Sequence, residues 1–297
     1  MRKPLKDALH EAQESGRTLI LDGAMGTERQ RAGLEPGGCG ELWSVERPQK
    51  LLAIHRAYAE AGSQLLLSNT FGANRFILGR RAVAGRAAEL LRAAVCVARQ
   101  AAGDSRWVLG DCGPCGGFLE PTGEIAPAEL EASLREQIAA LLEAGADAIM
   151  FETMSALDEL EMGIRVARKL GAPCVMASLA FERRRRGFRT MAGATPEQAA
   201  KMAADAGADA IGANCGTALE PPDFADLARA FRSACALPII LQPNAGKPEL
   251  VGGRAVYRLT PEQMAPMVTA LAPLAQVLGG CCGTTPGHIA AFAKQLA

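Results

Sequence analysis

The hexapeptide AGADAI occupies residues 144–149 and returns unchanged at 206–211, with a weaker copy, AGSQLL, at 61–66. Each copy follows a segment with helical spacing of apolar residues and runs into a short apolar stretch. The glycine suits a helix stop and the apolar stretch suits a buried strand. Repetition of such a joint marks repeated βα units. Working outward gives eight candidate strands, at 18–21, 64–68, 107–110, 148–151, 174–180, 210–213, 238–241 and 276–278. Helical periodicity covers 48–61, 85–101, 128–144, 156–170, 196–206, 223–234 and 261–271. Eight alternating units predict an α/β fold, a single-domain (β/α)8 TIM barrel over residues 1–297. A doubly wound open sheet is the rival, and it calls for G-x-G-x-x-G after its first strand. Here that strand runs into Asp22-Gly23-Ala24-Met25-Gly26-Thr27, which is not that fingerprint. No linker or low-complexity stretch splits the chain.

Composition excludes several classes of function. Hydrophobic residues make up 49% and charged residues 22%, as in a globular chain with a large core. Lys+Arg and Asp+Glu are both 32, so no net field draws nucleic acid or an anionic membrane. The local exception, Arg183-Arg184-Arg185-Arg186, lacks interleaved aromatic residues and reads as a solvated loop. No apolar run reaches membrane-spanning length. The N-terminal MRKPLKDALHEAQESG is amphipathic and acid-bearing, unlike a secretory signal, so the expected location is cytoplasmic. The nine cysteines are an odd count, and a reducing compartment argues against a disulfide framework.

In a barrel, function collects on the loops after the strands. Those loops read Asp22-Gly23, Asn69-Thr70-Phe71-Gly72, Asp111-Cys112-Gly113-Pro114-Cys115, Glu152-Thr153, Asn214-Cys215-Gly216, Gln242-Pro243-Asn244 and Gly279-Gly280-Cys281-Cys282-Gly283. Cys215 and the Cys281-Cys282 pair end strands separated by only one other. Vicinal cysteines bond to each other poorly, whereas both can point at one metal when flanking glycines free the backbone. Three thiolates and an exchangeable position make a catalytic zinc layout. Two buried thiols in a Gly-rich strand end are the plainer alternative. None of His10, His55 and His288 follows a predicted strand, so imidazole chemistry at the rim is not expected. A thiolate metal site suits sulfur chemistry instead. Asp22 and Glu152 read either as a clamp for a substrate ammonium or, for Asp22, as a turn carboxylate capping local amides. Glu152 ends an apolar strand and calls for a partner. Cys112-x-x-Cys115 fits a redox pair, half of a metal site, or plain packing.

These motifs together resemble the zinc-dependent homocysteine S-methyltransferase family. Its members include betaine– and S-methylmethionine–homocysteine methyltransferases and the homocysteine module of cobalamin-dependent methionine synthase. The resemblance runs through LDGAMGTE (21–28), ELWS (41–44), SNTFGANRF (68–76), GEI (123–125), FETMSALDE (151–159), IGANCG (211–216), QPNAGKPE (242–249) and GGCCGTTPGHI (279–289). It implies a (β/α)8 barrel, with Zn2+ on Cys215, Cys281 and Cys282 and Asn244 at the fourth position before substrate binds. It implies that Asp22 and Glu152 hold the amino group of homocysteine. Gly23 and the segment through Asn69, Thr70 and Phe71 would hold its carboxylate, with Asn214 also in the substrate site. The sequence departs from the family at Cys112 and Cys115, where a GPTG-like loop is usual. It departs again at Thr153, where betaine-type animal enzymes carry an aromatic residue.

The implied reaction transfers a methyl group from a donor to homocysteine thiolate on zinc, giving methionine. No D-x-H-x-x-G corrinoid signature is present, so methylcobalamin would ride on a separate corrinoid protein. A small donor of the betaine or S-methylmethionine type is the favoured expectation. Such cations prefer aromatic walls, for which Trp43, Phe71 and Phe76 are candidates, although aromatic residues are only 4%. A redox or metal-cluster protein built on Cys112 and Cys115 is the rival from another class. A non-catalytic subunit with a structural zinc is a second. The sequence sets no oligomeric state.

Overall fold

Eight parallel strands form the wall of the computed structural model, which describes residues 2–216, 219–251 and 254–297. They are β1 (Leu19–Ile20), β2 (Leu65–Leu67), β3 (Trp107–Cys112), β4 (Ala148–Met154), β5 (Val175–Leu179), β6 (Ala210–Asn214), β7 (Ile239–Gln242) and β8 (Val277–Leu278). Each pairs with its neighbour in the order β1-β8-β7-β6-β5-β4-β3-β2. The ring closes where Leu21 bridges Leu65, with the Gln64 amide donating to the Ile20 carbonyl at 2.7 Å. This is the expected single-domain (β/α)8 barrel.

Period-2 alternation fills the interior. Leu19, Leu65, Leu67, Trp107, Leu109, Ala148, Met150, Met176, Ala210, Ile240 and Val277 pack as one buried cluster. The N-terminal helix Leu5–Ser15 adds Leu5, Ala8, Leu9 and Ala12, whose spacing puts them on one face. That helix plugs the end of the barrel where the strands begin. Lys6 there pairs with Asp209 at 3.2 Å, and the Trp107 indole N–H donates to the Lys3 carbonyl at 3.0 Å. Gly212 sits where β6 meets β7, and a Cβ there would lie 1.9 Å from the Ile240 carbonyl oxygen.

The repeated joints share a bonding pattern. The residue before each even strand accepts the amide N–H of the preceding odd strand. Gln64 Oε1 takes Ile20 N at 3.1 Å, Asp147 Oδ2 takes Val108 N at 2.7 Å, Asp209 Oδ2 takes Val175 N at 2.8 Å, and Gln276 Oε1 takes Ile239 N at 3.0 Å. Asp147 and Asp209 are the fourth residues of the two AGADAI copies. Their glycines, Gly145 and Gly207, have φ of +88° and +97°, as a left-handed helix stop requires.

The structure extends the sequence reading in several places. β3 continues to Cys112 and β4 to Met154, past the expected ends. An eighth outer helix, Pro286–Leu296, follows β8. Two rim hairpins, Glu182–Arg184 with Gly187–Arg189 and Glu249–Val251 with Arg254–Val256, had no alternating apolar pattern to announce them. The first carries the arginine run, and Arg183 to Arg186 are solvent-exposed there. No described helix is long and apolar enough to cross a membrane.

Candidate active site

The same alternation that fills the barrel also builds its mouth. Beyond the interior apolar residues, on the same face, come Asp111 on β3, Glu152 on β4, Ser178 on β5, Asn214 on β6 and Gln242 on β7. The β4–β5 register shifts between Phe151 and Met154, and Thr153 lies at φ +59°. Such a bulge at a barrel rim re-aims the side chain it carries, here Glu152. Cys215 is also left-handed, at φ +59°. Non-glycine residues persist in that region only when their surroundings impose it, and they cluster at functional sites.

Backbone hydrogen bonds stitch the last loops together. Cys215 N donates to the Gln242 carbonyl at 3.2 Å, Cys281 N to that of Pro243 at 2.9 Å, and Ala245 N to that of Cys282 at 3.0 Å. The loop after β1 joins them through Thr284, whose hydroxyl accepts Ala24 N at 3.1 Å and donates to the Cys281 carbonyl at 2.7 Å. Gly283 turns the chain at φ +80°, where a Cβ would lie 2.3 Å from the Tyr257 side chain.

This stitching brings the Cys215, Cys281 and Cys282 sulfurs within 4.8 Å of one another. Tetrahedral zinc with Zn–S bonds of about 2.3 Å needs sulfurs about 3.8 Å apart, so the cluster fits such an ion with little movement. Hydrogen bonds from Cys281 and then Cys282 hold the Cys215 thiol down at about 3, making it the natural thiolate of the group. The same pairing, with burial, pushes Cys281 up. Asn244 directs Nδ2 at the Cys215 sulfur at 3.8 Å, while its Oδ1 is buried without a partner.

A cavity of about 260 Å³ opens beside the thiols, lined by Gly23, Arg29, Asn69, Thr70, Phe71, Asp111, Glu152 and Thr153 among others. Asp111 and Glu152 line it, whereas Asp22 lies behind the lining residue Gly23; all three acids are desolvated. Burial raises Asp22 and Asp111 well above the carboxylate range and pushes Glu152 up to about 7. Asp22 Oδ2 accepts Leu67 N at 2.9 Å, but Asp22 Oδ1, Asp111 Oδ1 and Gln242 Oε1 are buried with no partner. Gln242 donates to Glu152 at 3.1 Å. Buried acceptors without donors call for a ligand rich in N–H groups. No acceptor among the described residues takes the amides of Gly23, Asn69 or Phe71. Among the described residues Arg29 is the one basic residue lining the cavity, and it is bonded to Asn69. Free acceptors and free donors around one cavity suit a zwitterionic amino acid.

The remaining sequence candidates fall differently. Asn214 is fully buried and does not line the cavity. Its Oδ1 accepts Thr153 N at 2.9 Å and Ser178 Oγ at 2.7 Å, and its Nδ2 points at Cys281 Sγ at 3.7 Å. It therefore orients Thr153 and a thiol. Trp43 is buried with the Lys50 ammonium 5.3 Å from its ring centre, and neither it nor Phe76 lines the cavity, whereas Phe71 does. Cys112 and Cys115 are buried in the outer core, and burial drives the first thiol well up and the second to about 12. That is the reverse of a reactive thiolate. Arg29, Asp111 and Gln242 were not singled out in the sequence. The last two follow predicted strands, but no spacing separates them from other polar rim residues. Arg29 lies within the short helix Met25–Arg31 and gave no signal.

Comparison with known proteins agrees with this geometry. The family model described as homocysteine S-methyltransferase matches residues 19–296. A methionine synthase of Mycobacterium tuberculosis is 33% identical over 313 aligned residues, covering 95% of this chain and 25% of that protein. Another from Mycobacterium leprae is 33% identical over 305, covering 95% and 24%. The chain thus spans about a quarter of the length of these relatives. The homocysteine methyltransferase MmuM from Escherichia coli, in its metallated form, superposes with a TM-score of 0.77 at 25% identity, covering 97% of this chain and 99% of that one.

Proposed function

The chain belongs to the homocysteine S-methyltransferase family, and on that premise we propose that it makes methionine by moving a methyl group from a small onium donor to the sulfur of homocysteine. The observation that carries this reading is the pairing of three converging thiols with a cavity that holds both buried free acceptors and free backbone donors. Cys215, Cys281 and Cys282 are proposed to hold zinc, with Asn244 Oδ1 at the fourth position until substrate arrives. When bound, zinc lowers the pKa of a coordinating thiol and keeps its sulfur nucleophilic near neutral pH.

The protein's own groups do the rest. Asp22, Glu152 and Asp111 receive the substrate ammonium, which restores their charged forms inside the cavity. The amides of Gly23, Asn69 and Phe71, with Arg29 and Thr70 beside them, receive the carboxylate. Holding both ends fixes the direction of the sulfur, and that positioning is the main contribution such a site makes to an in-line displacement. No side chain needs to act as a general base once the thiol is deprotonated.

A second reading supplies the methyl group from a corrinoid on a separate protein, and the likeness to methionine synthases favours it. Incubation of the metal-loaded protein with homocysteine and a donor panel of betaine, S-methylmethionine and methylcobalamin decides between them. Methionine is expected with an onium donor. No product with any of the three would overturn the activity, and product from methylcobalamin alone would overturn the donor class.

A further inference from the structure

Each sulfur of the thiol cluster meets a side-chain donor from a different part of the chain. Asn214, at the end of β6, directs Nδ2 at Cys281 Sγ at 3.7 Å, and Asn244, after β7, directs its own at Cys215 Sγ at 3.8 Å. The third sulfur, that of Cys282, has the hydroxyl of Tyr257 within hydrogen-bonding reach. Tyr257 lies just past the hairpin of Glu249–Val251 with Arg254–Val256, and it does not line the cavity beside the thiols. Several contacts fix its place. Leu259 N donates to the Ala245 carbonyl at 3.1 Å, and Ala245 N to that of Cys282 at 3.0 Å. His288 braces the same segment. Its Nδ1 accepts Thr285 N at 3.2 Å, so Nε2 carries the proton and donates to the Leu259 carbonyl at 2.9 Å. The Tyr257 ring lies against Gly283, where a Cβ would come within 2.3 Å of its Cβ and Cγ. Any side chain at 283 would therefore push the hydroxyl off Cys282. Burial first, and then the neighbouring Cys282, raise the Tyr257 hydroxyl well above its ordinary range, which leaves a neutral O–H able to donate.

We propose that Tyr257 is a positioning residue for the metal: its hydroxyl donates to the sulfur of Cys282 and completes a shell in which each of the three sulfurs has one side-chain donor. The inference rests on the proposed metal site. Three thiolates on one dication leave a net negative charge, and burial makes such a charge costly unless polar hydrogens face it. An O–H directed at the sulfur meets part of that charge and fixes where the sulfur points, as the outer-shell partners of metal ligands do. Tyr257 also isolates this effect better than the other two donors. Asn214 is tied to Thr153 and Ser178, and Asn244 is proposed to fill the fourth position, so changing either disturbs more than one hydrogen bond. Tyr257→Phe removes one oxygen and keeps the ring on Gly283. His288, which does not line the cavity, gains a task here, since it holds the segment that carries Tyr257.

The test compares full-length wild type with Tyr257→Phe in three measurements. They are competition for zinc against a chelator, the sulfur-to-metal charge-transfer band of the cobalt(II)-loaded protein, and thermal unfolding of the metal-free form. Zinc affinity in Tyr257→Phe should fall by about tenfold or more, the scale on which a lost outer-shell partner acts. The cobalt band should move to longer wavelength, because a sulfur without its donor gives up charge more readily. The metal-free proteins should unfold at the same temperature. Zinc affinity within about threefold of wild type, or a cobalt band that stays in place, overturns the role of Tyr257 and leaves the metal site standing. A metal-free midpoint that falls in the variant assigns the effect to packing of the segment and overturns it as well. Failure of wild type to bind either ion overturns the metal site and this inference with it.

Discussion

Glu152 shows how one residue ties stability to function. Burial holds its carboxyl at about 7 where an exposed glutamate titrates near 4.5. A folded value above the unfolded one means that the protonated form is favoured in the fold. Its full contribution is present below about pH 4.5 and is lost as pH rises through about 7. Without homocysteine, wild type should therefore lose on the order of 3 kcal/mol relative to Glu152→Gln across that window. Thermal unfolding of both proteins at a series of pH values checks this, and parallel profiles would contradict it. At this scale Cys215, Cys281, Cys282, Asp22 and Glu152 were legible, because each follows a strand whose apolar run is easy to see. Asp111 and Gln242 became distinguishable only once the barrel showed which rim groups are buried with unpartnered oxygens. Trp43 was legible as a residue but not as a neighbour, since its burial under Lys50 is set by helix packing.

Among elements, the AGADAI joints carry the most information. The repeat announced helix stops and strands in the correct places, and it also contained a role that only pairing could reveal. Its aspartates accept an amide near the start of the strand next door, as Gln64 and Gln276 do. Asp209 is 5% exposed, accepts Val175 N and pairs with Arg168 and Lys6. Asp209→Ala strands that amide and the arginine, and a loss of about 2–4 kcal/mol is expected. Chemical denaturation measures it, and a change below about 0.5 kcal/mol would show the joint to be ornamental. The rim hairpins were not legible for a physical reason. Their strands are three residues each and partly or wholly exposed, so no burial period is written into them.

For the whole molecule, the barrel separates stability from chemistry. One end is plugged by Leu5–Ser15 and braced by the Asp147 and Asp209 joints. The other end gathers the thiols, the buried acids and the cavity beside them. The fold was readable because one helix-to-strand joint recurs in three sequence copies. The donor to Cys282 was not, because it depends on how the segment after the Arg254–Val256 strand lies over the thiols. The central claim is that Cys215, Cys281 and Cys282 hold the working metal and that Cys112 and Cys115 do not. The direct measurement is zinc content per chain in wild type, Cys281→Ser and Cys112→Ser purified side by side. About one zinc is expected in wild type and in Cys112→Ser, with little or none in Cys281→Ser. A wild-type chain without zinc, or equal loss in the two variants, would contradict the account.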